Sequence, residues 1–251
     1  MLLLVYLVLN YHKMKSYFLH PESIRNLFDT IAPRYDLLNH LLSLRRDVYW
    51  RKRAVRELKG TEGWILDIAT GTGDVAIEIV HQNDQKNKVS GLDFSEPMIK
   101  AAHRKLVKEG LTEKIVLSLG DALSLPFRNN TFSASIVAFG LRNIVKKEQA
   151  LAEMVRVIQG GGKVIVLEFT LPQKGVMKSL YPIYFRRILP WIGGLISGDQ
   201  GAYSYLPESV LQFRYPKDYE GMMRGAGLEN VSFRRLTGGI ASIIEGTKKR
   251  Q

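Results

Sequence analysis

Cysteine is absent from this chain. Its absence excludes disulfides and any thiolate metal centre, and it fits a reducing compartment. Also missing is an unbroken apolar run of the roughly 20 residues that a bilayer span takes. The opening stretch Met1-Leu2-Leu3-Leu4-Val5-Tyr6-Leu7-Val8-Leu9 is apolar but short. It has neither the leading positive charge nor the small-residue cleavage site of a secretory signal. We expect residues 1–20 to be an extension, disordered or mis-started, with Met14 available as a start; a short membrane-touching anchor is the alternative. The second apolar stretch, Val176 to Ser197, is interrupted by Pro182 and Pro190 and by Lys178, Arg186 and Arg187. No repeat or low-complexity segment is visible. Acidic residues are the scarce charge: 24 against 36 basic ones, for a net charge of +12. The surplus gathers at Arg45, Arg46, Arg51, Lys52, Arg53, Arg56 and Lys59, opposed only by Asp47 and Glu57. Such a face either is simply solvated or draws polyanions, whether nucleic acid or an anionic membrane surface.

What is present is the patterning of one α/β domain. At 251 residues with 45% hydrophobic content, the chain can bury a single large core. Apolar positions Ile24, Leu27, Phe28 and Ile31 recur at helical spacing, so Pro21 to Ile31 reads as an amphipathic helix. Leu38, Leu41 and Leu42 extend the apolar face past Ala32-Pro33, and a basic helix over about Val48 to Leu58 precedes the first strand. From Ile65 to Glu168 strands and helices alternate, which predicts a parallel sheet covered on both faces. The helix over about Lys147 to Val157 is expected to end at Gly160-Gly161-Gly162, before a fifth strand over Lys163–Glu168. Val231–Leu236 and Ala241–Gly246, flanking Thr237-Gly238-Gly239, read as a hairpin.

The most informative segment lies between the first strand and the helix after it. Trp64-Ile65-Leu66 leads into Asp67-Ile68-Ala69-Thr70-Gly71-Thr72-Gly73-Asp74, and Val75 to Val80 then resumes helical patterning. A side chain at Gly71 or Gly73 would block close approach of a ligand or strain the backbone. With Ala76, the stretch fits the dinucleotide fingerprint. The second strand ends in Asp93, at the position of a carboxylate that accepts ribose hydroxyls. Ser95 is placed to cap the next helix, with Pro97 in its first turn. The third strand, Ile115–Leu119, runs into Gly120-Asp121-Ala122, where the acid could accept an adenine amino group. Open parallel sheets take ligands at these carboxyl ends. A pyrophosphate site avoids extra carboxylates, yet Asp67 and Asp74 flank the turn. Their charge suits a sulfonium or ammonium ligand, so S-adenosyl-L-methionine is expected rather than a dinucleotide.

Asp67-x-Ala69-x-Gly71-Thr72-Gly73-Asp74, Gly91-Leu92-Asp93-Phe94-Ser95, Gly120-Asp121-Ala122 and Leu125-Pro126-Phe127 resemble the successive motifs of class I methyltransferases. Phe139-Gly140-Leu141-Arg142-Asn143, Tyr35-Asp36-Leu37-Leu38-Asn39 and Leu167-Glu168-Phe169 narrow the resemblance to the menaquinone and ubiquinone biosynthesis C-methyltransferases. It spans about Ile24 to Gly246, and the tail segment Tyr203 to Ser209 is among its more specific parts. The resemblance implies a Rossmann-like, doubly wound, seven-stranded and mostly parallel sheet closed by a C-terminal antiparallel hairpin. It also implies N-terminal helices, residues 21–60, that cover the cofactor, within a single methyltransferase domain over residues 21–251. The apolar segment, about 172–215, is read as an insertion sheltering a greasy acceptor, with membrane-surface binding as a second use.

For the cofactor, these readings together assign Asp67, Gly71, Thr72, Gly73, Asp93, Asp121, Ala122 and Ala138. At Ala138 relatives carry Ser, so that contact here runs through the backbone. For the acceptor, Tyr35, Asp36 and Asn39 are implied from the N-terminal helix, and Arg142 with Asn143 from the turn after the fourth strand. Methylating a quinol carbon requires the neighbouring phenol to lose its proton. A guanidinium stays protonated, so Arg142 would stabilise the phenolate or orient a water; a structural ion pair with an acid of the cofactor site is the alternative role. His40 and His103 carry no motif and read as structural or exposed. The expected reaction is S-adenosyl-L-methionine-dependent C-methylation of a prenylated demethylmenaquinol. The ubiquinone-pathway counterpart, an RNA or small-molecule methyltransferase and a non-catalytic cofactor-binding subunit are the alternatives. No metal and, for want of an RNA-binding module, no nucleic acid is expected. The chain is expected in the cytoplasm, with peripheral contact at the inner face of the membrane and a homodimer as the working assembly.

Overall fold

The computed structural model describes residues 21–82, 87–173, 178 and 216–250. The N-terminal extension and nearly all of the expected insertion lie outside the described residues.

Sequence dictates the sheet first. In β1 (Trp64–Ile68) every residue after Trp64 is buried, and β2 (Lys88–Asp93) and β4 (Phe132–Ala138) are almost as enclosed. Strands buried on both faces belong in a parallel sheet sandwiched by helices. With β3 (Ile115–Leu119), β5 (Ile158–Phe169), β6 (Leu228–Leu236) and β7 (Ala241–Lys248) they form one sheet in the order β3-β2-β1-β4-β5-β7-β6. Strands β1 to β5 pair in parallel, while β7 runs antiparallel to both β5 and β6. Only β7 is therefore reversed, inserted between β5 and β6 by the hairpin whose turn is Thr237–Gly239. Register places Asp67 of β1 beside Gly91 of β2 and Ile136 of β4. The carboxyl ends of the three strands therefore lie side by side. Strand order reverses its direction of growth at β1, the place where open sheets bind ligands.

Helices cover both faces. Alternate strand residues divide the core in two. Ile65, Ile136 and Ile165 pack with Trp50, Val55, Ile79 and Leu106, whereas Leu66, Val137 and Val164 pack with Leu151, Met154, Tyr219 and Met223. The first group comes from α3 (Arg46–Arg56), α4 (Asp74–Gln82) and α5 (Glu96–Glu109), the second from α6 (Lys147–Val157) and α7 (Pro216–Gly225). Two helices precede them, α1 (Pro21–Ile31) and α2 (Tyr35–Leu42), joined by a single 3-10 turn at Ala32–Arg34. Ser95 caps α5, its hydroxyl accepting from the Met98 amide.

One expectation fails. The triple glycine does not end α6. That helix stops at Val157, and Gly160-Gly161-Gly162 lies inside β5, which starts at Ile158. The cause is close strand packing: a Cβ on Gly162 would come within 2.6 Å of the Ser133 carbonyl. Glycine is there for backbone approach across a sheet irregularity, since the β4–β5 register shifts between Phe132 and Ala134.

Trp50 ties the N-terminal helices to the far end of the chain. It is 2% exposed, its ring packs at 6.0 Å from Phe139 and 5.8 Å from Phe169, and its indole N–H donates to the Thr237 hydroxyl at 2.8 Å. Trp50→Ala is expected to cost about 3–5 kcal/mol in chemical denaturation, and Trp50→Phe about 1 kcal/mol for the lost hydrogen bond. Equal stability for all three proteins would show that α3 is not docked this way.

Candidate active site

The carboxyl ends of β1, β2 and β4 surround a cavity of about 330 Å³. Helix α1 walls one side through Ile24, Arg25 and Phe28. Phe28 stands edge-on to Tyr35 and Phe94, at 6.2 and 6.4 Å, and Arg25 lies over the Phe94 ring. Two strand ends meet there under strain. Ala69 after β1 and Phe139 after β4 hold positive φ, 52° and 57°, which non-glycine residues adopt at a cost. A Cβ on Gly140 would meet that of Ala69 at 2.7 Å, so glycine is required for the two ends to touch.

The glycine turn itself is wired to Asp93. The Gly71 amide donates to Asp93 Oδ2 at 2.8 Å and the Ser95 amide to Oδ1 at 2.9 Å. The Gly73 amide donates to the Thr70 carbonyl. Amides that would cradle a phosphate are thus already used, one of them by a carboxylate. Burial pushes the Asp93 carboxyl upward, and the hydrogen bonds from Ser95, Gly71 and Phe94 oppose it. Asp67 is 1% exposed and accepts from the Thr70 hydroxyl at 2.5 Å. Burial raises its pKa to about 7 against the Thr70 bond, and the Asp93 and Asp74 carboxylates add to the rise. A cation bound nearby would relieve this cost; a pyrophosphate would increase it.

Asp74 does not share that role. Its carboxylate bonds Lys105 at 2.6 Å and Arg51 at 2.9 Å, so its direct partners are these two side chains and not a ligand in the cavity. The sequence-based use of Asp74 as a ligand-facing acid is corrected here. Lys105 also bonds Asp36 at 2.6 Å, and Asp36 accepts from the Thr72 hydroxyl at 2.5 Å. Arg51 continues the chain to Asp47, which also holds His40 and Ser43. The result is a ladder of alternating charges that fastens α2 across the glycine turn. Lys105 and Arg51 escape motif reading because their partner Asp74 lies on a separate helix.

Of the residues expected from sequence, Tyr35, Gly71, Asp93, Asp121, Ala122, Ala138 and Asn143 line the cavity. Asp67, Gly73 and Thr72 lie buried beneath it, and Asp36 stands behind the turn in the charge ladder. Asn39 bonds the Tyr35 side chain; burial pushes the Tyr35 hydroxyl above its ordinary value while Arg142 pulls the other way. Leu92, Met98 and Leu123 add an apolar wall that sequence reading missed. It suits a flat base beside Asp121, whose own carboxylate accepts from the Leu123 amide at 2.9 Å.

Arg142 sits at the β4 end, 9% exposed. Its guanidinium bonds Glu168 Oε1 at 2.7 Å and the Phe139 carbonyl, its backbone N–H donates to Glu168 Oε2 at 3.1 Å, and it lies 5.2 Å from the Phe169 ring centre. Arg142 is therefore in an ion pair, but with Glu168 of β5 and not with one of the acids expected at the cofactor site. Tyr219 and Lys147 complete a polar cluster there. Burial, then Glu168, pushes the Tyr219 hydroxyl upward, and burial lowers Lys147 to about 8 against the pull of Glu168 and Glu148. Lys147 donates to the Ile144 carbonyl at 2.7 Å. Glu168 could have been found by the rule that exposed Asp93, an acid at a strand's carboxyl end; Tyr219 gave no signal. Among the described residues no three His, Asp or Glu side chains are grouped to hold a metal, and His103 is exposed.

A seven-stranded sheet of this order, with its cavity over a glycine turn between acids, defines a class I methyltransferase fold. An S-adenosylmethionine-dependent methyltransferase from Thermotoga maritima shares it at TM-score 0.64, 20% identical, covering 90% of this chain and all of the other. The ubiE/COQ5 methyltransferase family matches residues 16–248, and the chain belongs to that family. It is 42% identical over 228 residues to the ubiquinone/menaquinone biosynthesis C-methyltransferase UbiE of Geobacter sulfurreducens, covering 90% of this chain and 89% of the relative. It is 46% identical over 223 residues to the demethylmenaquinone methyltransferase of Thermus thermophilus, covering 88% of this chain and 100% of the relative.

The raised Asp67 carboxyl has a consequence for the ligand-free protein. Its folded pKa of about 7 exceeds the ordinary 3.8, so bound protons favour the folded state. That stabilisation is full below about pH 4 and is lost as pH rises through about 7. Asp67→Asn cannot ionise. Its stability relative to the native protein is expected to climb between those limits, by at most about 1.4 kcal/mol per pH unit, in denaturant melts across the range. Parallel pH–stability curves would contradict this.

Proposed function

We propose that this protein transfers a methyl group from S-adenosyl-L-methionine to a ring carbon of a prenylated demethylmenaquinol, giving menaquinol. The observation that carries the reading is 42–46% identity to quinone C-methyltransferases over most of the chain, joined to a cavity whose acids favour a cationic ligand. Menaquinone is the product common to the names of both relatives, so it is preferred over a ubiquinone-only acceptor.

When bound, the cofactor supplies an electrophilic methyl on a sulfonium, a good leaving group. Residues of the chain do the rest. Asp93 and Asp121 would hold the ribose hydroxyls and the adenine amino group, and Gly71 allows the ligand close to the backbone. Asn143 and Tyr35 line the cavity toward Arg142, where the acceptor ring would lie. Arg142 remains charged and Glu168 fixes its plane, so the guanidinium can stabilise a phenolate without acting as the base. Tyr35, raised above its ordinary value, stays a phenol and can donate a hydrogen bond to the acceptor. Holding acceptor carbon and methyl in line is worth several kcal/mol, about 7–11 in the best-oriented cases.

Purified protein with the cofactor and a short-tailed demethylmenaquinol should yield the ring-methylated product. Asn143→Ala and Arg142→Lys, the latter keeping a cation for Glu168, should bind adenosylhomocysteine within a few-fold of the native protein. Their turnover should fall about 100-fold, the lower range for losing a positioned polar group. Native turnover in both would remove the β4 turn from the mechanism.

A further inference from the structure

The turn joining α2 to α3 is built against the usual rules. Leu44 and Arg45 both adopt left-handed backbone, φ 51° and 60°, where glycine or asparagine is the ordinary choice. Yet Leu44 is 78% exposed, so among the described residues no close packing compensates for that backbone. The turn is hydrogen-bonded nonetheless. The Leu44 and Arg45 amides donate to the Leu41 and His40 carbonyls, and Ser43 and His40 are anchored inward on Asp47. Leu37 and Leu41, one helical turn apart, are 61% and 43% exposed on the same face of α2, while Leu38 faces the core at 3%. Tyr49, 45% exposed, adds an amphipathic ring from α3.

The charges of this face are sorted by sign. Asp36 and Asp47 are the only acids between residues 35 and 56. Both are turned inward, Asp36 to Lys105 and Thr72, Asp47 to Arg51, His40 and Ser43. Lys105 is committed to Asp36 and Arg51 to Asp47, whereas Arg45 and Arg46 stay exposed beside Leu44. The outward face therefore offers leucines and arginines without a carboxylate of its own stretch. Leucines do not stack on bases, which argues against nucleic acid. Apolar side chains rimmed by arginine complement the interface of an anionic bilayer, the apolar part entering the acyl boundary and the cations meeting phosphates.

We propose that Leu37, Leu41 and Leu44, flanked by Arg45, Arg46 and Tyr49, are the surface by which this protein docks on anionic membranes. Because α2 begins at Tyr35, a cavity-lining residue, docking there would set the acceptor cavity beside the bilayer. This last step rests on the reading that the acceptor is a membrane-dissolved quinol; docking itself does not.

Sedimentation of the full chain with vesicles of phosphatidylglycerol and phosphatidylcholine, or of phosphatidylcholine alone, tests it. The native protein should partition onto the anionic vesicles, and less at high salt. Leu37→Gln/Leu41→Gln/Leu44→Gln and Arg45→Glu/Arg46→Glu should each lower partitioning by about tenfold or more. Both should keep native turnover on a water-soluble short-tailed quinol and lose turnover on a long-tailed quinol embedded in vesicles. Failure of the native protein to partition, or equal partitioning by the leucine variant, overturns the proposal. So does a native dimer that the leucine variant turns to monomer while both ignore vesicles, which would make this face a self-contact. Absence of turnover on the soluble quinol by every form strikes the quinol reading and leaves the vesicle result to be judged by itself.

Discussion

Everything at the functional end of this sheet depends on one carboxylate. Asp93, at the end of β2, takes the Gly71 amide with one oxygen and the Ser95 amide with the other. It thereby welds the glycine turn after β1 to the start of α5. The bond also decides the chemistry of the cavity: an amide that phosphate-binding sites turn toward their ligand is here turned toward a negative charge. Beneath it Asp67 is buried and reluctant to ionise. A site with this electrostatic character rewards a ligand that brings positive charge and penalises one that brings pyrophosphate.

Around that weld the protein assembles two further polar systems with different tasks. The ladder Asp36–Lys105–Asp74–Arg51–Asp47 crosses four helices and holds α2 against the turn. The Arg142–Glu168 pair fixes the strained β4 turn to the end of β5. In both, breaking one partner would strand a poorly solvated charge, so the geometry is enforced more by the cost of disruption than by the net attraction. No helix among the described residues is long and apolar enough to cross a membrane.

Much of this was legible in the sequence, for identifiable reasons. Strand ends and the C-terminal hairpin could be read because glycine, proline and the capping Ser95 act locally. Asp93 and Asp121 could be read because an acid directly after an apolar run has few other places to be. The triple glycine misled because a helix cap and a close strand crossing use the same residue for different causes, and only the Ser133 carbonyl across the sheet distinguishes them. Asp74 misled because its neutralisation comes from Lys105 and Arg51, 31 and 23 positions away, on helices whose packing no local pattern encodes. Arg142 and Glu168 were each legible as residues of motifs, but their pairing and the buried Tyr219 beside them were brought in by the fold.

The most direct test of the carboxylate weld is calorimetric titration of the native protein and Asp93→Ala with adenosylhomocysteine and with a nicotinamide dinucleotide. The native protein should bind adenosylhomocysteine and not the dinucleotide, and the variant should remain folded and lose at least about tenfold in affinity, as expected for a lost charge-assisted hydrogen bond. Unchanged affinity in the variant, or preference of the native protein for the dinucleotide, would contradict the account.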